Sequence, residues 1–305
     1  MQNIMGMGIV YTRGAAGISA PKVKVEVHLS NGLPSFKLVG LAETAVQEAK
    51  ERVRSALINS GFEYPARRIT VNLAPADIPK SGGRYDLAIA LGILIAMGLI
   101  EQSPVNHTEV AGELSLNGDI RPVPGLLPVA MRCAEDNHTL VLPAGNEAEI
   151  QLVDNLEYLL PATLLNTFLH FTRQQPLKLK HTRNEVSLAP PSPRWDDIIG
   201  QQQAKRALCI AAAGSHNLLM VGPAGTGKSL LASRLVSLLP QLNHQQALAT
   251  AALYSVKGEQ RDTEDWLTPP FRSPHHTSSA IALTGGGAHP QPGEVSLAHN
   301  GVLFL

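Results

Sequence analysis

Asn217-Leu218-Leu219-Met220-Val221-Gly222-Pro223-Ala224-Gly225-Thr226-Gly227-Lys228-Ser229-Leu230-Leu231-Ala232 decides how this 305-residue chain is read. Residues 222–229 satisfy G-x-x-x-x-G-K-[ST] at every fixed position. The chemistry demands those residue types. Glycines let successive backbone N–H groups curl around an anion without a Cβ clash. Lys228 has the length to reach the β- and γ-phosphates of a nucleoside triphosphate, and the Ser229 hydroxyl suits Mg²⁺. The helix that follows turns its positive end toward the same anion. The context agrees: residues 217–221 read as an apolar strand and residues 228–239 as an amphipathic helix. Gly222, Pro223, Ala224, Gly225, Thr226, Gly227, Lys228 and Ser229 are therefore the expected ATP-binding loop, with Ser229 the expected contact to Mg²⁺.

Downstream, the sequence given closes on Gly301-Val302-Leu303-Phe304-Leu305. Four apolar residues after a glycine read as a buried strand. In a P-loop ATPase such a strand leads to an Asp that helps hold Mg²⁺. No Asp-Glu pair is present here, so residues 195–305 are expected to be the N-terminal part of a P-loop domain, truncated, with no complete catalytic set. An edge strand that closes the domain is the alternative. Upstream, Gln174-Gln175-Pro176 and Pro190-Pro191-Ser192-Pro193 mark residues 172–194 as a Pro-rich linker.

Residues 1–171 alternate between two periods. Val23, Val25, Val27 and Leu29 alternate with polar residues, as do Ile69, Val71 and Leu73, which predicts strands. Val46, Ala49, Val53, Ala56 and Leu57 fall at helical spacing, with Gly61 as a stop. A Pro/Gly loop over 75–83 precedes an apolar helix from about Tyr85, and Asn117-Gly118 predicts a hairpin. A helix near 125–135 and a strand at 139–142 complete an expected α+β domain.

Composition narrows the setting. Lys plus Arg and Asp plus Glu are both 25, so no global basic footprint exists, which leaves room for a local one. Cys133 and Cys209 have no metal spacing and suit a reducing cytoplasmic setting. No signal peptide is legible, and the longest apolar run, Leu87 to Ile100, is too short for a membrane span. Adjacent His275 and His276 make poor metal spacing, and His289 and His299 read as loop residues.

Together "WDDIIGQQQAKRAL", "LLMVGPAGTGKSLLA", "PFRSPHHTSS", "ALTGGG" and "PGEVSLAHNGVLFL" resemble the ComM/YifB family of magnesium-chelatase-like AAA+ ATPases over essentially the whole chain. The resemblance implies an α/β protein: an N-terminal Lon-protease-like domain of the ribosomal protein S5 domain 2 type, then a three-layer α/β/α AAA+ domain. It implies that Asp197, Ile198, Gly200 and Gln201 help seat adenine, that residues 222–229 are the Walker A loop, and that residues 301–305 are the Walker B strand without its acids. It also implies that "ALTGGGAHPQPGEVSLAH" is an inserted hairpin facing a ring channel, with Gly285-Gly286-Gly287 at a mobile tip.

"PADIPKSGGRYDLAIAL" and "GELSLNGDIRPVPGLLPVA" resemble the two catalytic stretches of Lon. Lon chemistry needs a Ser nucleophile and a Lys base. Those positions hold Arg84 and Leu127, so the domain is expected to be catalytically dead; Ser81 and Lys80 lie outside the family geometry. Lys80 and Arg84 are instead candidate phosphate contacts, or plain solvated charges.

Three motor classes fit: a homo-oligomeric ring translocating DNA in branch migration, as the family is thought to do; a magnesium-chelatase motor subunit; and an ATP-dependent protease. A non-enzymatic fragment is the fourth reading. The Lon-like domain in front of the ATPase favours the first, with ATP and DNA as partners and no membrane.

Overall fold

A computed structural model of the chain describes residues 6–40, 46, 48–182, 195–287 and 290–305, without the side chains of Asp196 and Thr263. The chain divides into two units, Met1–Glu185 and Val186–Leu305.

The first unit is mixed α/β. Strands β1 (Met7–Arg13) and β2 (Lys22–Ser30) form an antiparallel pair. Then come β3 (Ser35–Val39), α1 (Ala49–Asn59), β4 (Arg68–Ala74), α2 (Asp86–Ala96) and β5 (Thr108–Val110). The hairpin β6 (Glu113–Leu114) and β7 (Ile120–Arg121) leads to α3 (Leu126–Glu135), β8 (Thr139–Val141) and α4 (Glu147–Ile150). Strand β9 (Glu157–Leu159), α5 (Leu164–Phe171) and β10 (Lys180–His181) finish the unit. The main sheet has the order β10-β9-β8-β5-β1-β2-β4-β3. Its β1-β2-β4 centre is antiparallel, and β5, β8 and β9 run parallel to β1.

The period-two pattern explains the sheet's two faces. Val23, Val25, Val27 and Leu29 of β2 and Ile69, Val71 and Leu73 of β4 are buried on one face. Against that face lies α2, all of whose residues are buried, which is why Leu87 to Ala96 can be apolar all round. Contact is so close that glycine is required. A Cβ on Gly8 would sit 2.2 Å from the Gly92 carbonyl oxygen, and a Cβ on Gly92 would sit 2.6 Å from Val27 Cγ2. On α1, Ala49, Val53, Ala56 and Leu57 face the core as their spacing predicts, and Gly61 at φ +87° lets the chain leave. The Asn117-Gly118 turn closes β6 on β7, with Gly118 at φ +88°.

Charge is also buried here. Glu109 is fully buried and held by Arg13 Nε at 2.6 Å and Arg13 Nη2 at 2.7 Å, and His138 Nδ1 lies 3.0 Å away. Asp86 is fully buried and held by Arg52 Nε at 2.6 Å and Nη2 at 3.1 Å. Burial pushes the Asp86 carboxyl up to about 6, against the pull of Arg52.

Past Phe171 the chain stays with this unit. Strand β10 pairs with β9 through Lys180 opposite Tyr158, and Leu177 packs against the core. Residues 172–182, expected to open the linker, thus belong to the first unit, where Lys180 and His181 pair with strand β9. Residues 183–194, with Pro190-Pro191-Ser192-Pro193, lie outside the described residues, as does His289.

The second unit contains α6 (Gln202–Gly214), α7 (Lys228–Arg234, continued by a 3-10 turn to Leu238) and α8 (His244–Lys257). Strand β11 (Phe271–Arg272), α9 (Ala280–Thr284), α10 (Glu294–Leu297) and β12 (Val302–Leu303) follow. Arg272 clamps Glu294 through Nε at 2.6 Å and Nη2 at 2.7 Å, tying β11 to α10. Between α9 and α10, Gly286 and Gln291 exchange backbone hydrogen bonds at 3.1 and 3.2 Å.

Two expectations fail here. Residues 217–221 are not a strand: Leu219 and Val221 are 86% and 88% exposed. An apolar segment becomes a parallel strand only when neighbours take its N–H and C=O groups and cover its faces. Among the described residues nothing pairs with this one. Residues 302–305 are likewise not buried; β12 is half-exposed and, among the described residues, pairs only with β11. The expected three-layer sheet is thus represented by one parallel pair.

Gly8→Ala should lower stability by about 1–3 kcal/mol in urea unfolding, since the new methyl must displace backbone. An unchanged midpoint would contradict the close contact. Arg52→Ala should cost about 3–5 kcal/mol at pH 7.5 by stranding Asp86. Asp86 has a folded pKa above its unfolded value, so its own contribution to stability falls as pH rises from about 4 to 6. Removing Arg52 raises that pKa further, so the cost of the substitution should be smaller at pH 5 than at pH 7.5. A pH-independent cost would refute the assignment.

Candidate nucleotide-binding site

The loop 222–229 ends where α7 begins. Gly225 (φ +79°) and Gly227 (φ +87°) both occupy left-handed backbone, which any other residue adopts at a cost. A Cβ at either would meet nothing within 4 Å, so the glycines face open space rather than packed protein. Thr226 Oγ1 donates to the Pro223 carbonyl at 2.9 Å and braces the turn. Lys228 Nζ donates to the carbonyls of Gly222 at 2.8 Å and Pro223 at 2.7 Å, so its arm folds back across the loop. Among the described residues no carboxylate neutralises that ammonium. Ser229 stands exposed on the first turn of α7. Ala224 completes the turn and is exposed. The arrangement offers a cation, a hydroxyl and turned backbone side by side on an exposed loop, a donor set that fits a polyphosphate with its magnesium ion.

The preceding segment is drawn to α7. Ile198 is buried in a cluster with Leu208 of α6 and Leu231 of α7, bordered by Trp195, Met220 and Leu235. Asp197 faces Arg234 Nη2 of α7 at 3.5 Å. Lys205 Nζ donates to the Ile198 carbonyl. Gly200 (φ +73°) and Gln201 (φ +54°) turn the chain into α6 and are exposed. Asp197 and Ile198 are thus brought to the phosphate-loop helix, whereas Gly200 and Gln201 serve the turn. Arg234 escaped sequence reasoning because nothing in its spacing signals a partner 37 residues upstream. Beside α7 runs a cleft of about 670 Å³, with Leu218 and Met220 on one wall and Val302, Leu303 and Phe304 on the other.

The His275 and His276 rings lie 4.1 Å apart, and the Thr277 hydroxyl is 2.7 Å from His275 Nδ1. Among the described residues the one grouping with metal-ligand spacing is Glu109, Asp136 and His138, and Arg13 and Lys22 already occupy its carboxylates.

In the first unit the Lon-like positions are closed. Arg84 is 4% exposed; its Nη2 donates to the Pro124 carbonyl, and its Nη1 is buried without a hydrogen-bond partner. Leu127 is buried on α3. Lys80 is fully buried with Nζ on the Pro75 carbonyl, and burial pushes its pKa down. Neither side chain is free to meet a phosphate backbone, which overturns that expectation: a charge in a glycine loop looks solvated in sequence, but here Lys80 and Arg84 turn inward onto backbone carbonyls while Pro75, Ala76, Asp77, Pro79 and Gly82 stay exposed.

The chain spans about 60% of the length of the curated relatives it matches. It is 48% identical over 305 residues to the competence protein ComM of Haemophilus influenzae, covering 99% of this chain and 60% of that one. It is 47% identical over 301 residues to the YifB protein of Escherichia coli, covering 99% and 59%. A Mycobacterium tuberculosis relative is 39% identical over 306 residues, covering 99% and 60%. Residues 194–305 match a family described as magnesium chelatase, subunit ChlI, and residues 25–146 match one described as subunit ChlI of Mg-chelatase. No helix among the described residues is long and apolar enough to cross a membrane.

A fluorophosphonate probe should leave Ser81 unlabelled, because the neighbouring Lys80 ammonium is held on a backbone carbonyl and is no free base. Stoichiometric labelling in intact-mass spectra would reverse that reading.

Proposed function

The chain belongs to the ComM/YifB family of magnesium-chelatase-like proteins, and on that premise we propose that it is the nucleotide-binding portion of a ring-forming, ATP-driven motor that moves along DNA. The observation that carries the reading is the open loop 222–229, with Lys228 folded across it and both left-handed glycines facing empty space. On this reading Gly222, Pro223, Ala224, Gly225, Thr226 and Gly227 wrap the phosphates, Lys228 leaves its two carbonyls for them, and Ser229 contacts Mg²⁺. Bound magnesium supplies charge neutralisation on the phosphate oxygens. Asp197 and Ile198 position the adenine side by fixing the 195–201 turn against α7, with Gly200 and Gln201 shaping it. The Lon-like first unit, of the S5 domain 2 type, is a non-catalytic module, and the second unit is part of an AAA+ core. The partner DNA and the homo-oligomeric ring belong to the whole protein, whose length exceeds this chain in the relatives. The Haemophilus relative's name, competence protein, accords with DNA as the substrate. The two matched family descriptions support a second reading, a magnesium-chelatase motor, in which ATP use serves metal insertion into a tetrapyrrole.

Lys228→Ala should weaken binding of a fluorescent ATP analogue at least about tenfold, as loss of a charged hydrogen-bond donor predicts. Unchanged affinity would remove the phosphate-loop role. In a chain of the relatives' full length, DNA should stimulate ATP turnover and tetrapyrrole should not. The reverse pattern would select the chelatase.

A further inference from the structure

The main sheet of the first unit has an inner face sealed by α2; on its other face, over β2-β4-β3, none of the described outward residues is buried, whereas at the end of β1 Arg13, abreast of Lys22, is buried against Glu109 and Asp136. The outward residues are Met7, Ile9 and Tyr11 on β1; Lys22, Lys24, Glu26, His28 and Ser30 on β2; Arg68, Thr70, Asn72 and Ala74 on β4; and Ser35, Lys37 and Val39 on β3. None of them is buried, while their inward neighbours on β2 and β4 all are. Strand register sets these side chains in rows. Met7, His28, Thr70 and Lys37 lie abreast, as do Ser30, Arg68 and Ser35. Neighbouring strands are about 4.8 Å apart, so the four-residue row spans roughly 14 Å and the three-residue row about 10 Å.

The face is basic although the chain is neutral. Arg13, Lys22, Lys24, Lys37 and Arg68 stand against three carboxylates: Glu26, which Lys24 Nζ holds at 2.6 Å and Asn72 Nδ2 at 2.8 Å, and Glu109 and Asp136, which Arg13 and Lys22 pair. Lys22 is tied at the rim to Asp136 at 3.2 Å and lies 5.2 Å over the Tyr11 ring. Lys37 and Arg68 are exposed and make no ion pair among the described residues. Exposed Arg67 adds a further cation at the β4 end.

We propose that this sheet face binds single-stranded DNA, with Lys37 and Arg68 on the phosphates and Tyr11 beside a base. The inference deepens the DNA-motor reading and rests on it for the partner's identity. Charge complementarity selects a polyanion. The shape selects an unpaired strand: a flat sheet has no helix to enter a duplex groove, whereas a platform of cations with an aromatic ring suits splayed bases. Lys80 and Arg84, the basic residues singled out in the sequence, are buried and leave this role to the sheet.

The test uses the full 305-residue chain and a fluorescein-labelled dT30 oligonucleotide in anisotropy titrations across salt. Lys37→Ala with Arg68→Ala should weaken binding at least about tenfold at low salt and reduce the slope of log affinity against log salt by about 1.4. Tyr11→Ala should weaken it about fivefold with the slope unchanged. Lys178→Ala, exposed elsewhere on the same unit, should have no effect. Affinity for the ATP analogue should be unchanged in all these variants. Wild-type binding that the double variant leaves intact overturns this face while sparing the motor reading. Absence of any wild-type binding by a chain that still binds nucleotide overturns the face, and the motor reading then stands or falls on DNA-stimulated turnover in the full-length relative. Loss of self-association instead of DNA affinity, seen by sedimentation in the double variant, would reassign the face to a second copy.

Discussion

The Gly92 carbonyl occupies the place where a side chain on Gly8 would have to stand. That contact lets α2 lie directly on the sheet, and much else in the first unit follows. An all-apolar helix can be buried only if one sheet face gives itself wholly to it, so β1, β2 and β4 send their valines, isoleucine and leucines that way. The opposite side chains are then committed to solvent. Sealing one face so tightly is what leaves the other polar, basic and open.

Charge follows the same economy of space. Two carboxylates, Glu109 and Asp86, are fully buried, and each is met by an arginine from a distant part of the chain. An unpaired buried charge is costly, so such pairs fix register more than they add stability. The Lon-like stretch shows the other use of interior space. Where a hydrolase would keep a nucleophile and a base, Arg84 is wedged against the Pro124 carbonyl and Leu127 fills the core.

The second unit separates local from non-local order. Its phosphate loop needs only short-range relations: left-handed glycines, a helix start and a lysine six residues beyond Gly222. Those were legible in the sequence and are realised in the fold. Segment 217–221 was equally legible as an apolar strand, yet it stays unpaired, because a strand's hydrogen bonds are made by other segments. In the first unit, where the partners exist, Val23 to Leu29 and Ile69 to Leu73 form strands with the faces their alternation predicts. A strand reading, whether from alternation or from an apolar run, thus succeeds or fails according to whether a neighbour is present.

What the sequence determined by itself was therefore everything carried by spacing along the chain: the helix faces of α1, the Asn117-Gly118 hairpin, the alternation of the strands and the left-handed glycine turn that leads into Lys228. What only the tertiary structure decided was which charges meet water. Lys80 and Arg84 stand in a glycine loop and are buried, whereas Lys37 and Arg68 sit in ordinary strands and are exposed. The reason is physical: spacing sets which way a side chain points relative to its neighbours, but burial depends on what packs against it, and that comes from elsewhere in the chain.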